Sequence, residues 1–189
     1  MTATLVLTAC GGTVVRPPAP SPTVAPTAAR TTTPNTGGAA TAAATPAPGS
    51  ATTAIVELEK GGSFTIALRP DKAPQTVSRF VSKAKDGFYN GLKFHRVEDW
   101  VVQGGDPQGT GSGGGRVPSE YNDLPFKLGA VGIARGQDPA FNNDSQWFVV
   151  KKDSTFLDKQ YTNFGTVTSG MDVVQKVAIG DRIKTIQIR

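Results

Sequence analysis

The chain is 189 residues long, carries a net charge of +5 and has one Cys and one His. A disulfide within the chain and a Cys/His zinc cluster are therefore excluded. The basic excess is no nucleic-acid footprint, because no run of Lys or Arg and no basic helix face is present.

Residues 1–50 are almost entirely Ala, Thr, Pro and Gly, with Arg16 and Arg30 their only charges. Removing those two from the 20 Lys and Arg leaves 18 against 15 acids for residues 51–189, an ordinary surface balance. Leu5 to Cys10, LVLTAC, resembles the lipobox of bacterial lipoproteins: a short apolar run, small residues, then a thiol to carry lipid. The expectation is a signal segment over 1–9, a lipid on Cys10 and an extracytoplasmic, membrane-anchored protein. Only nine residues precede Cys10, and none is Lys or Arg. A working signal wants a basic start and a longer apolar core, so either translation begins upstream or the protein stays in the cytoplasm. Residues 10–52 lack apolar periodicity and read as a disordered tether, about 40 residues averaging roughly 35 Å end to end.

From Thr53 the pattern changes. Val56 and Leu58 alternate with acids, Phe64, Ile66 and Leu68 alternate with Thr65 and Ala67, and Gly61-Gly62 stands between: a β-hairpin. Val77, Phe80, Val81 and Ala84 then form one helical stripe over Pro74–Asp86, with Pro74 suited to the first turn and Gly87 to the stop. Phe94 to Gly111 reads FHRVEDWVVQGGDPQGTG: a basic pair, an apolar strand, an amide and a glycine-rich loop. Few polar groups among aromatic and aliphatic ones is the make-up of a ligand pocket. Gly129–Ala134 is a small-residue strand, and Ser145–Val150, SQWFVV, another. Met171, Val174 and Val177 mark a short helix, and Ile183, Ile186 and Ile188 a closing strand. Strands outnumber helices and tight turns join them, which favours a closed antiparallel barrel.

Other motifs carry less. Gly109, Gly111 and Gly114 satisfy G-x-G-x-x-G, but no helix follows and no acid stands about 20 residues on, so no dinucleotide site is expected. His95 with Ser145 lacks a nucleophile elbow and makes a poor hydrolase triad. Asn143-Asp144-Ser145 is a formal glycosylation sequon at a strand start and is set aside.

The segments FHR…QGGDPQGTG, APQTVSRFVSKAKDGFYNGLKFHRV, SQWFVV and FLDKQYTNFG together resemble cyclophilin-type peptidyl-prolyl isomerases, over essentially all of residues 53–189. The resemblance implies a mainly β fold, a closed eight-stranded antiparallel barrel capped by two helices. It implies a monomeric folding catalyst that acts on proline-containing polypeptides with no cofactor or metal, and touches a membrane only through a lipid on Cys10. Arg96, Gln103 and Phe148 would be the catalytic set, with Arg96 donating to the prolyl amide. Trp100, Val101, Phe148 and Leu157 would form the proline pocket. Gln146 would join Gln103 in holding the substrate backbone or orienting Arg96, and Arg135 would present its backbone. Phe156 stands where cyclosporin-sensitive animal members carry Trp, and Tyr161 where they carry His, so weak cyclosporin binding is expected. The sequence departs from the family in three places: one residue fewer between Arg96 and Trp100, Trp for Phe at 100, and Val for Met at 101.

Overall fold

The computed structural model describes residues 52–189. Cys10, its lipobox-like segment and all but the last residue of the Pro/Ala/Thr-rich stretch 10–52 lie outside the described residues. The first elements are the hairpin strands β1 (Thr53–Leu58) and β2 (Ser63–Leu68), which bury Ala54, Val56, Leu58, Phe64, Ile66 and Leu68 on one face. Gly61 and Gly62 turn between them at φ 92° and 88°, a region that costs side-chain-bearing residues dearly.

Helix α1 (Pro74–Lys85) follows and buries Thr76, Val77, Phe80 and Ala84. Its N-cap, Ala73, has no side chain to satisfy the first N–H groups. A distant carboxylate does so instead. Glu120 Oε1 accepts from the N–H of Gln75 (2.9 Å) and Oε2 from that of Thr76 (2.7 Å), placing negative charge at the positive end of the helix.

The remaining elements are β3 (Arg96–Val97), β4 (Val101–Gly104), β5 (Arg116–Pro118), β6 (Ala130–Arg135), β7 (Phe141–Val150), a 3-10 turn (Thr155–Leu157), β8 (Asn163–Ser169), α2 (Met171–Gln175) and β9 (Ile183–Ile188). One antiparallel sheet runs β3-β4-β7-β6-β8-β2-β1-β9, with β5 added alongside β7. The path has the eight antiparallel strands expected, and β5 is an extra short strand that the polar, glycine-rich sequence around it did not signal. The sheet curls until its two ends meet. They are joined by the segments leading into β3 and β9, through a Lys93–Arg182 bridge and the bonds Phe94 N–H to Asp181 O (2.8 Å) and Ile183 N–H to Leu92 O (2.9 Å).

Inside the curl lies the main core, with Trp147 at its centre. Its ring meets Phe80 and Phe94 edge-on, both at 5.9 Å, and Phe64 at 6.4 Å. Phe80 comes from α1, and Val174 and Val177 enter the same core from α2 and the turn after it. Each such aromatic removes about 150–250 Å² from water, a gross gain of roughly 4–6 kcal/mol. A second, smaller cluster lies on the other face of the sheet: Val101, Phe126, Ala130, Phe148, Val150 and Leu157.

The capping contact is open to test. Glu120→Ala is expected to lower stability by about 1–2 kcal/mol, a fall of about 3–8 °C in Tm. Calorimetry measures this, and amide exchange at Gln75 and Thr76 should accelerate.

Candidate active site

The site grows from a row of paired residues across four strands. Arg96 on β3 pairs with Gln103 on β4, Gln103 with Phe148 on β7, and Phe148 with Gly132 on β6. Residues opposed across a ladder share a face, so the row puts a guanidinium, an amide and a phenyl ring side by side. They line a cavity of about 150 Å³ with Trp100, Ala134, Arg135, Leu157 and Tyr161.

Phe148 is the floor. It is buried, stacks on Phe126 at 5.7 Å and takes the edge of Tyr161 at 5.8 Å. Gly132 makes that position possible. A Cβ there would collide with Phe148 Cζ and lie 2.7 Å from Phe126 Cε1. Leu157 and Tyr161 supply further wall, and Arg135 lays its guanidinium 4.8 Å over the Tyr161 ring while its Nε donates to Gln160 O at 2.9 Å.

The polar edge is held by a relay. Gln103 Nε2 donates to Gln146 Oε1 at 3.0 Å, and Gln146 Nε2 donates to Gly113 O at 2.8 Å. Gly113 belongs to the glycine-rich loop, which folds over the buried carboxylate of Asp106. That carboxylate accepts from the N–H groups of Gln108 (2.9 Å), Thr110 (2.7 Å) and Gly111. Burial pushes the Asp106 carboxyl up, but those three N–H donors and His95 outweigh it and hold it below the usual range. The loop is thus a bracket for the site's amides, with no helix behind it. A second cavity of about 310 Å³ adjoins the first and shares Gln103, Ala134 and Arg135 with it.

Arg96 points its Nε at Glu98 Oε1, 2.7 Å away. Neither of its Nη groups has a protein partner among the described residues. Burial keeps the neighbouring His95 imidazole below its ordinary pKa, opposed by Asp106 and aided by Lys93 and Arg96. Neither His95 ring nitrogen has a partner among the described residues, and the fully buried Ser145 Oγ contacts Asn143 Oδ1 at 3.2 Å. No Ser–His pair forms, so the site offers no activated hydroxyl.

Seven of the residues singled out in the sequence therefore meet at one cavity: Arg96, Trp100, Gln103, Arg135, Phe148, Leu157 and Tyr161. Val101 is buried beneath them, Gln146 stands behind Gln103, and Phe156 does not line the cavity. Phe156 is 60% exposed and meets Trp100 edge-on at 5.2 Å. Sequence reasoning missed Gly132 and Glu98. Glu98 is two residues from Arg96 in an extended segment, which places both on one face; that spacing was the available signal.

Comparison with known proteins bears on the chain as a whole. The family model described as cyclophilin type peptidyl-prolyl cis-trans isomerase matches residues 53–188. Peptidyl-prolyl cis-trans isomerase B of Bacillus subtilis is 38% identical over 142 residues, 72% of this chain and 97% of that one. A peptidyl-prolyl cis-trans isomerase of Synechococcus elongatus is 40% identical over 145 residues, 72% of this chain and 96% of the relative. In fold, the chain is similar to a cyclophilin type peptidyl-prolyl cis-trans isomerase of Cryptosporidium parvum crystallised in the presence of the dipeptide Ala-Pro. That match has a TM-score of 0.67 at 23% identity and covers 72% of this chain and 98% of that one.

The floor is sensitive to a single methyl group. Gly132→Ala should displace the Phe148 ring, cost about 1–3 kcal/mol of stability and lower kcat/KM at least about tenfold. Chemical denaturation and a proline-peptide assay measure the two effects. Gly136→Ala, at a position with open space around it, is the control and should change neither.

Proposed function

The chain belongs to the cyclophilin-type peptidyl-prolyl cis-trans isomerase family, and on that premise we propose how its site turns an X-Pro bond. The proline ring enters the cavity over Phe148, and the Arg96 guanidinium stabilises the twisted amide. Rotation about X-Pro is slow because it breaks amide resonance, a barrier of about 18–20 kcal/mol. The catalyst needs no nucleophile and moves no proton. It must bind the twisted state better than either planar one, at about 1.4 kcal/mol for each tenfold gain.

The observation that carries this reading is the row Arg96–Gln103–Phe148. Phe148, Leu157 and Tyr161 hold the ring by apolar contact. The two Nη groups of Arg96, which have no hydrogen-bond partner among the described residues, can donate to the prolyl nitrogen, which becomes pyramidal and basic only when resonance is lost. That interaction is stronger in the transition state than in the ground state, as catalysis requires. Gln103, braced by Gln146, binds substrate backbone, and the β6 edge at Ala134 and Arg135 borders the chain on the other side. The substrates are proline-containing polypeptides.

Arg96→Ala tests the reading. In a protease-coupled proline-peptide assay it should lower kcat/KM by about 10²–10³ with an unchanged circular dichroism spectrum. Activity within threefold of the unmodified protein would overturn it.

Inhibitor response follows from Phe156. It has no N–H donor where cyclosporin-sensitive relatives carry an indole, and Tyr161 replaces their His. Cyclosporin should bind about 10- to 10³-fold more weakly than to those members. Phe156→Trp should recover part of the affinity in a titration of isomerase activity. Inhibition of the unmodified protein at low nanomolar concentration would sink the placement of Phe156 in the inhibitor's path.

A further inference from the structure

Three side chains on the β3–β4 hairpin, at positions 96, 98 and 100, stand two residues apart. Arg96 lies in β3, Glu98 just past its end and Trp100 in the bend that leads into β4, so the turn carries the indole back to the carboxylate. Glu98 sits between the other two and uses both carboxylate oxygens. Oε1 accepts from Arg96 Nε at 2.7 Å, and Oε2 accepts from Trp100 Nε1 at 2.8 Å. The guanidinium also lies 5.4 Å over the Trp100 ring. The Glu98 backbone is pinned as well: its N–H donates to Val101 O at 2.8 Å, and its carbonyl accepts from Lys151 Nζ at 3.2 Å.

We propose that Glu98 is a positioning residue of the isomerase site, a carboxylate clasp that fixes the guanidinium of Arg96 and the indole of Trp100 together. The inference rests on the catalytic role of Arg96 proposed above. An isolated exposed ion pair contributes little, because two long side chains lose freedom for a screened attraction. This pair differs in what it holds. Both donors line the cavity, and neither has another hydrogen-bond partner among the described residues to fix it. An arginine on a flexible stem explores many rotamers, and a catalytic donor gains from being aimed beforehand. With Nε anchored, the planar fork turns its two Nη groups as one rigid unit. The indole, anchored at its only donor, becomes a fixed wall backed by the edge of Phe156 at 5.2 Å. The carboxyl of Glu98 lies below the ordinary carboxylate range, chiefly through the hydrogen bond from Arg96 and to a lesser extent that from Trp100, so the clasp is ionised at neutral pH. It also suits the shortened hairpin, where the sequence has one residue fewer than the family pattern between Arg96 and Trp100.

The experiment uses the full chain and four variants: Glu98→Ala, Glu98→Gln, Arg96→Ala and the Arg96→Ala/Glu98→Ala pair. Glu98→Ala should lower kcat about 5- to 20-fold while KM moves less than about twofold, because the interaction acts on the turning amide and not on the bound ring. Glu98→Gln keeps one acceptor and should fall between. In the Arg96→Ala background the same change should alter kcat/KM less than about twofold, since the clasp then has no guanidinium to aim. Acrylamide quenching supplies a readout independent of turnover. Of the two tryptophans Trp147 is fully buried, so the quenchable emission is that of Trp100, and it should become more accessible in Glu98→Ala. A kcat within twofold of the unmodified protein overturns the proposal. So does a rise in kcat, which would make Glu98 a quencher of Arg96, or an equal loss with and without Arg96. If Arg96→Ala alone is harmless, the catalytic reading fails first; if it costs the expected amount and Glu98→Ala does not, only the clasp is wrong.

Discussion

Everything in this domain depends on one strand being buried on both faces. β7 pairs with β4, β5 and β6, and from Ser145 to Val150 no residue is open to water. A strand alternates its side chains, so this single run must serve two environments. Trp147 and Val149 point into the main core, while Gln146, Phe148 and Val150 point to the other face. The same alternation in β4 sends Val102 inward and Val101 and Gln103 outward. A slip of one residue in the β4–β7 register would exchange the two sets, burying the glutamines in the aromatic core and exposing Trp147. The face that carries the candidate site and the folding core are therefore specified by the same hydrogen bonds. The large aromatic core makes the slip costly and so fixes the site's register.

The polar part of the site follows a different economy. Buried amides must find partners or cost free energy. Here the partners form one connected path: Asp106 gathers the N–H groups of the glycine-rich loop, the loop offers Gly113 O, Gln146 takes it, and Gln103 leans on Gln146. Asn143 reinforces the same loop by donating to Gly113 O at 2.9 Å. The path reaches into β7 itself: short of the ladder with β4, the N–H groups of Ser145 and Gln146 turn to Asn143 Oδ1 at 2.9 and 2.8 Å.

Much of this was legible in the sequence because local signals and tertiary demands agree there. The β1–β2 hairpin shows period-two burial around paired glycines, and α1 shows one apolar stripe behind a proline. The cavity residues were legible through a run of motif matches, not through periodicity. What escaped was set by long-range geometry. β5 is three residues long and exists because Asn142 and Asn143 offer it a ladder. The same pairing extends β7 back to Phe141, four residues before the predicted start, through a polar stretch with no alternation. Gly132 reads as one small residue among several until the stacked rings of Phe126 and Phe148 are seen across from it. Glu98 is the local exception: its partners Arg96 and Trp100 stand two residues away on either side, yet an acid in a polar turn reads as a surface residue.

The sheet places its first and last strands side by side. β1 pairs with β2 on one edge and with β9 on the other, and Thr53 and Arg189 exchange backbone hydrogen bonds of 2.8 Å in both directions. Glu57 and Gln187, whose side chains meet diagonally across that ladder, are 130 residues apart in the chain. During synthesis the hairpin can form as soon as it emerges, but its second edge must wait unpaired until the final strand arrives. An open edge of this kind invites pairing with other chains, and closing so long a loop is slow. The sheet of this isomerase is thus complete only once β9, the last of its strands in chain order, has been made.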